Sequence, residues 1–196
     1  SEAELDNLRK IDSILEGHVD MNRTPGVDAS TGSLGQGLSI ASGIAWLAKQ
    51  DKRHYRTYCL IGDGELQEGQ ISEAASHIPA MGLDNICVII DKNRLQIDGR
   101  TQDVDKSDLP AVWQGWGWHV ISIDGHDMAQ ILVAFAEAEK IKGKSTVIIA
   151  HTVKGKGVSF MEETAKKGDP KYHGIAPTDE EFEIFLSESD KRLEIY

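Results

Sequence analysis

The chain is poor in sulfur and in positive charge: two cysteines in 196 residues, and 21 Lys and Arg against 32 Asp and Glu. Cys59 and Cys87 lie inside the apolar runs TYCLI and NICVII, with no CxxC pair and no Cys/His metal spacing, so both read as small core residues. The formal net charge of -11 repels a phosphate backbone or an anionic membrane, and it argues against both as partners. A local basic site for a phosphorylated small molecule is compatible with it. No apolar run approaches the ~18–20 residues of a membrane span. No GxGxxG or GxxxxGKS/T loop follows a predicted strand, which argues against a plain nucleotide-binding domain. Neither an internal repeat nor a low-complexity segment is present, and no signal peptide is recognisable, so a reducing cytoplasm is the expected compartment.

What is present is apolar residue in quantity, 40% of the chain, enough for one core, and the length fits one domain over residues 1–196. Leu5, Leu8, Ile11 and Leu15 recur at helical spacing and predict an amphipathic helix over 3–16. A loop rich in Gly, Pro, Asp, Ser and Thr follows to about Ser33. LGQGLSIASGIAWLAKQ then reads as a buried helix of small residues. Strands are predicted at TYCLIG (57–62), NICVIID (85–91), WHVISID (118–124) and TVIIAHT (146–152). Helices are predicted over about 68–81 and 127–142, the latter capped by Asp127 and closed by Gly143. Residues 161–178 read as a long loop before a charged helix. Apolar strands alternating with helices imply an α/β fold, doubly wound, with a mainly parallel sheet and helices on both faces. In such sheets ligands bind outside the carboxyl ends of the strands, here the loops after Ile61, Ile90, Ile123 and Ala150.

Two polar groups fall at those ends. Gly62-Asp63-Gly64 follows TYCLI, and Asp91-Lys92-Asn93 follows NICVII, with one helix and about thirty residues between Asp63 and Asn93. A GDG alone is an ordinary tight turn and an Asn after a strand is usually one too. The pair, each after its own strand in one βαβ unit, presents a carboxylate and an amide oxygen on one edge. Hard oxygen donors of this kind suit Mg²⁺ or Ca²⁺, with diphosphate oxygens and water completing the shell. Glycines there allow backbone N–H groups to approach a phosphate and permit unusual backbone angles.

GDG, a span of just under thirty residues and then Asn resembles the thiamine diphosphate fingerprint. The surrounding TPGVDASTGSLGQGLSIASGIA, GDGELQEGQISEA, DKNRLQIDG, GWHVISIDGHD, HTVKGKGVSFME and YHGIAP are similar in order and spacing to the N-terminal, diphosphate-binding section of transketolase, above all where its two halves are separate chains. The resemblance runs from about Gly17 to Pro177. It implies that Asp63, Asn93 and the backbone carbonyl of Leu95 hold Mg²⁺, and that Gly64 approaches the diphosphate, with Gly62 and Glu65 in the same cofactor-binding turn. It places Gly32 and Leu34 against the cofactor's rings, with Ser33 where the family often has proline, and Ile97 as a further apolar cover. Glu68 matches a glutamate in a carboxylate network across the subunit interface. His18 matches a histidine on the ketose hydroxyls, although VDMNR after it departs from the common proline-containing version. His173 matches a histidine near the diphosphate and the substrate's reacting oxygen, a position where a side chain of ordinary pKa ~6.5 transfers protons. Tyr172 stands where tryptophan is common. Lys154 and Lys156 are candidates to meet phosphate. His126, with Asp124 and Asp127, reads as structural, and Trp113, Trp116 and Trp118 as core and interface packing.

No stretch resembles the family's pyrimidine-binding domain, and the resemblance begins partway into the family pattern, after a segment that carries further substrate-facing histidines. It therefore implies thiamine diphosphate and Mg²⁺ (or Ca²⁺) as cofactors, sugar phosphates as substrates and a partner chain carrying the pyrimidine-binding domain, in an assembly of α2β2 type. Two other readings stay open at this point: another thiamine enzyme of the deoxyxylulose-phosphate synthase type, against which LQIDG and GELQEG speak, and a cofactor-binding module without catalysis.

Overall fold

The computed structural model describes residues 2–193, except for the side chains of 191–193. Its centre is a four-stranded parallel sheet built from β1 (Thr57–Gly62), β2 (Ile86–Lys92), β5 (His119–Asp124) and β6 (Thr146–His151), in the order β1-β2-β6-β5. A two-residue hairpin, β3 (Leu95–Gln96) with β4 (Gly99–Arg100), stands on the turn after β2. These are the four predicted strands within a residue or two, and the parallel α/β architecture is the expected one.

Side chains alternate across the pleat, so the apolar runs divide between two faces. Cys59, Ile61, Ile86, Val88, Ile90, Val147 and Ile149 form one face. It is covered by α1 (Gln36–Gln50), α2 (Gly69–Ala80) and α4 (Leu109–Gly115). Helix α1 buries Leu38, Ala41, Ala45 and Ala48 at three- and four-residue spacing, so its small residues lie on the packed side. Cys87, Ile148, Ile89, Ile121 and Ile123 point the other way and pack on α5 (Met128–Lys140), through Ala134, Phe135 and Ala138. Both faces carry helices, unequally: on the α5 side of β1, Leu60 is 72% exposed. Both cysteines are buried, and burial raises each thiol to about 11, which keeps it protonated and inert.

Local signals placed the helix ends well in places. The Asp127 carboxylate accepts the N–H groups of Ala129 and Gln130, as expected of an N-cap. The other end differs: α5 stops at Lys140 because Ile141 is extended, and Gly143 instead donates its N–H to Asp84. Residues 161–178 are not all loop, since α6 (Ser159–Lys166) occupies the start before a short 3-10 turn (Lys171–His173) and α7 (Asp179–Leu193). Helix α3 (Thr101–Val104) is a single turn after β4.

The helix predicted over 3–16 does not form. Only a 3-10 stretch, Glu2–Asn7, is present, and Arg9 and Asp12 have left-handed φ values of 62° and 63° that end it. Most of its apolar stripe stays exposed, Leu5 at 66%, Leu8 at 58% and Ile11 at 94%, and an isolated amphipathic helix of this length is marginal in water.

The tryptophans do pack the core. Trp113 and Trp118 are buried edge to face at 4.8 Å, Trp116 lies against Trp113 at 5.7 Å, and the Trp118 indole N–H donates to the Ala75 carbonyl at 2.7 Å. Trp118→Phe leaves that buried carbonyl without its donor, and equilibrium denaturation should show a loss of about 2 kcal/mol. An unchanged midpoint would mean the bond contributes nothing net.

Candidate cofactor site

Parallel pairing of β1 with β2 sets Gly62 beside Asp91, and the Asp63 N–H donates to the Asp91 carbonyl at 3.2 Å, extending the ladder one residue past the strand. The register thus brings the two turns together. Asp63 is only 6% exposed. Its Oδ2 accepts the Arg94 N–H at 2.6 Å and the Thr101 hydroxyl at 3.4 Å. Its Oδ1 is buried and has no hydrogen-bond partner. Burial pushes the Asp63 carboxyl above its ordinary value, and the Asp91 charge adds to this, against the lowering by the Arg94 N–H. A buried carboxylate oxygen without a donor is costly unless something positive meets it.

The opposing turn is held by strain and by local bonds. The Asn93 side-chain oxygen accepts the Leu95 N–H at 3.0 Å and keeps a second lone pair. Arg94 adopts a left-handed φ of 69°, a conformation that non-glycine residues rarely take and that clusters at functional turns. Leu95 is buried and anchors the hairpin. Asp91 is fixed by the Thr152 hydroxyl from the end of β6. Among the described residues no group of three His, Cys, Asp or Glu side chains could hold a metal. The expected donor set of one carboxylate, one amide and one backbone carbonyl needs no such group, and the orphaned Asp63 Oδ1 fits a hard cation.

The diphosphate turn departs from expectation in its glycines. Neither Gly62 nor Gly64 has a positive φ, so unusual angles are not their reason. At Gly64 space is the reason, since a Cβ there would stand 3.0 Å from that of Gln96, whereas a Cβ on Gly62 would meet nothing within 4 Å. Nor does the Gly62 N–H face a ligand, because it donates to Glu65 Oε2 at 3.1 Å, while Glu65 Oε1 takes the Gly35 N–H at 2.9 Å. Glu65 is therefore a strut between the GDG turn and the loop that leads into α1.

That loop carries the residues expected near the rings. Gly32 has φ 129°, and a Cβ there would run into the His18 ring, so these two candidates pack on each other. Leu34 is 58% exposed and Ile97 69%, apolar surfaces with nothing over them. Gly32, Leu34 and Glu65 line a groove of about 1000 Å³ that runs on to Tyr58 and Leu60 of β1. Glu68 precedes α2 without capping it and has no side-chain hydrogen bond or ion pair among the described residues. It is not the capping or paired residue that an isolated helix start would use.

His173 ends the 3-10 turn, which is pinned by the Tyr172 hydroxyl and the Lys171 ammonium on Glu181 (2.5 and 2.9 Å) and by Phe160 against the Tyr172 ring. Partial burial and then the Lys154 charge lower the His173 pKa, which favours the neutral ring near neutrality. The fold by itself shows no hydrogen bond between His173 and Asp63, whose Oδ2 is engaged by Arg94 and Thr101. His126 has the expected structural part: its N–H donates to Asp124 and its Nε2 accepts the Val153 N–H, both at 2.8 Å. Sequence reasoning missed Arg94, Thr101, Thr152 and the strut role of Glu65. Nothing in KNRL marks a left-handed residue, and hydroxyls that reach a carboxylate from elsewhere in the chain, Thr101 at the start of α3 and Thr152 after β6, leave no local pattern.

A parallel α/β sheet with a buried carboxylate and an amide at the carboxyl ends of two adjacent strands defines a cofactor- or metal-binding domain of the doubly wound class. The chain belongs to the family described as transketolase, thiamine diphosphate binding domain, whose model matches residues 1–187. It is 43% identical over 190 residues to one of the subunits of the apulose-4-phosphate transketolase of Phocaeicola vulgatus, covering 96% of this chain and 66% of that protein. To the 6-deoxy-6-sulfo-D-fructose transketolase subunit SqwG of a Clostridium species it is 41% identical over 188 residues, covering 95% of this chain and 66% of that one. The chain thus spans just under two thirds of these relatives. Among solved structures, the transketolase of Campylobacter jejuni superposes with a TM-score of 0.78 at 30% identity, over 98% of this chain and 34% of that one.

Because the Asp63 carboxyl is raised above its ordinary value of 3.8, its contribution to stability is present below that pH and lost as the pH rises through the raised value. At neutral pH the metal-free Asp63→Asn chain should therefore melt no lower than wild type, and up to a few degrees higher. Stabilisation by Mg²⁺ with diphosphate should vanish. Thermal melts with and without the ion test this, and a lower melting point without the ion contradicts it.

Proposed function

We propose that this chain is the diphosphate-binding subunit of a split transketolase, moving a two-carbon ketol unit from a ketose to an aldose in assembly with a separate chain that carries the pyrimidine-binding domain. The buried, unpartnered Oδ1 of Asp63 beside Asn93 carries the reading, since it suits the metal that ties a diphosphate to this turn. Several relatives are themselves named as single subunits of transketolases, which supports a second chain, and we take the assembly to be α2β2. One relative is named for a sugar phosphate and another for a sulfo-sugar, so we assign this chain a ketose with a terminal anionic group, of the kind that pentose phosphate chemistry supplies. Two buried, free thiols suit a reducing compartment, and we place the chain in the cytoplasm. No described helix is long and apolar enough to cross a membrane.

When bound, thiamine diphosphate supplies the electron sink for breaking the C–C bond beside a ketose carbonyl. The chain's own residues divide the remaining tasks. Asp63, Asn93 and the Leu95 carbonyl hold Mg²⁺, and the Gly64 N–H turns to the diphosphate. Leu34 and Ile97, exposed in this chain, exclude water over the rings, and Gly32 lets the loop approach them. His18, seated on Gly32, meets the ketose hydroxyls. His173, kept neutral by partial burial and Lys154, gives and takes a proton at the substrate's reacting oxygen. Glu68, without a partner among the described residues, reaches across the subunit interface into a carboxylate network.

Calorimetric titration of thiamine diphosphate with Mg²⁺ into this chain, alone and with the neighbouring encoded chain, followed by a ketose-cleavage assay, tests the reading. Turnover is expected only with the partner, and reduced at least 100-fold in Asp63→Ala, about 2.7 kcal/mol of lost transition-state stabilisation. Absence of cofactor binding under both conditions would overturn it.

A further inference from the structure

A second polar cleft, of about 830 Å³, opens between the carboxyl ends of β2, β5 and β6. Four cationic side chains line it: Arg94, Arg100, Lys156 and Lys166. Its one lining carboxylate, Asp124, already accepts the His126 N–H at 2.8 Å. Just behind, Glu162 serves both Lys156 and Lys166 at 3.4 Å each, and also takes the Gly157 N–H. Counting both carboxylates, two of the four positive charges stay uncompensated, in a chain whose net charge is -11.

One of the cations, Arg100, is firmly seated. The Arg100 guanidinium donates to the Lys167 carbonyl at 2.9 Å, and a Cβ at residue 168 would run into its Nε, so glycine there, at φ 82°, makes room for it. Two histidines add directed donors. His126 spends its Nε2 on the Val153 N–H, so its proton sits on Nδ1, and His151 pairs with the Ser122 hydroxyl at 3.0 Å. Grouped cations repel one another in a partly enclosed cleft, and a dianion relieves that repulsion. A phosphate monoester carries about -1.5 to -2 at neutral pH and takes several such donors at once. The volume lies in the ~300–1,000 Å³ range of small-molecule sites, more than free phosphate fills.

The cleft adjoins the cofactor corner without coinciding with it. Asn93 and Leu95 border both, whereas Asp63, Gly64, Gly32, Leu34, Ile97 and His173 do not line it. We propose that this cleft is a second anion site, which takes the phosphoryl group of a small phosphorylated metabolite separately from the cofactor's diphosphate. The proposal does not rest on the ketol-transfer reading.

Amide NMR titration of the full chain with inorganic phosphate, ribose 5-phosphate and, as an anion-free control, ribose provides the test. Saturable shifts at Arg100, His126, His151 and Gly168 are expected with both phosphates and not with ribose. Affinity should fall at least tenfold in Arg100→Met and in Lys166→Met, whose wild-type lysine is well exposed, and stay unchanged in Lys140→Met, at the end of α5. The same spectra report whether each variant is folded. Shifts centred on residues 62–65 and on Lys154 and His173 would return the anion to the diphosphate corner and overturn the proposal. Unchanged affinity in both variants, or no shifts at all, would overturn it too. Failure to bind thiamine diphosphate would leave this readout intact.

Discussion

Asp63 and Asn93 lie thirty residues apart in sequence and meet because β1 and β2 run parallel and in register. The pairing from Thr57 with Ile86 to Gly62 with Asp91 puts both strand ends at one level, and the Asp63 N–H continues it onto the Asp91 carbonyl. A slip of one residue would send the apolar side chains of β2 to the opposite faces. Ile86, Val88 and Ile90 would leave the core under α1, α2 and α4, and smaller or polar neighbours such as Cys87 would take their places there. The large helix-covered face therefore enforces, at a distance, the placement of two polar groups that gain little from folding by themselves.

One of those groups is left in an unfavourable state. Asp63 is buried, shares its surroundings with the Asp91 charge, and has an oxygen without a donor, while Arg94 next to its partner turn is left-handed. Strain and unpaired polarity of this kind persist where the surrounding structure over-determines them. The same logic extends outward. Leu34, Ile97, Tyr58 and Leu60 are apolar and exposed around the same corner, three of them along one groove, and Glu68 carries a charge with no partner among the described residues. The polar corner calls for a cation and the groove for a cover.

The sheet was legible in the sequence because short β-branched runs between polar turns have few alternatives, and GDG with its later Asn was legible because strand ends are where side chains leave the core. The N-terminal stripe of Leu5, Leu8 and Ile11 misled. Spacing reports what a helix would look like, whereas formation depends on a surface to bury it, and here Arg9 and Asp12 turn the chain instead. Helix α6 was hidden in a segment rich in Lys and Gly, where Phe160 packing on Tyr172 supplies the support that propensity does not. Glu65 lies in the turn where the family resemblance places it, and it accepts two backbone N–H groups, Gly35 and Gly62, a tertiary fact no local pattern records. The basic cleft was legible only in part: VKGKG marks Lys156, whereas Arg94, Arg100 and Lys166 come from separate elements, and overall charge of the opposite sign concealed them.

The central claim is that Asp63 is a desolvated carboxylate that a cation relieves. Carbon-detected NMR titration of its side-chain carboxyl, with and without Mg²⁺ and diphosphate, measures this directly. Without the ion the midpoint should lie above the ordinary 3.8, and with the ion it should fall well below that value. An ordinary midpoint that the ion leaves unmoved would contradict the claim.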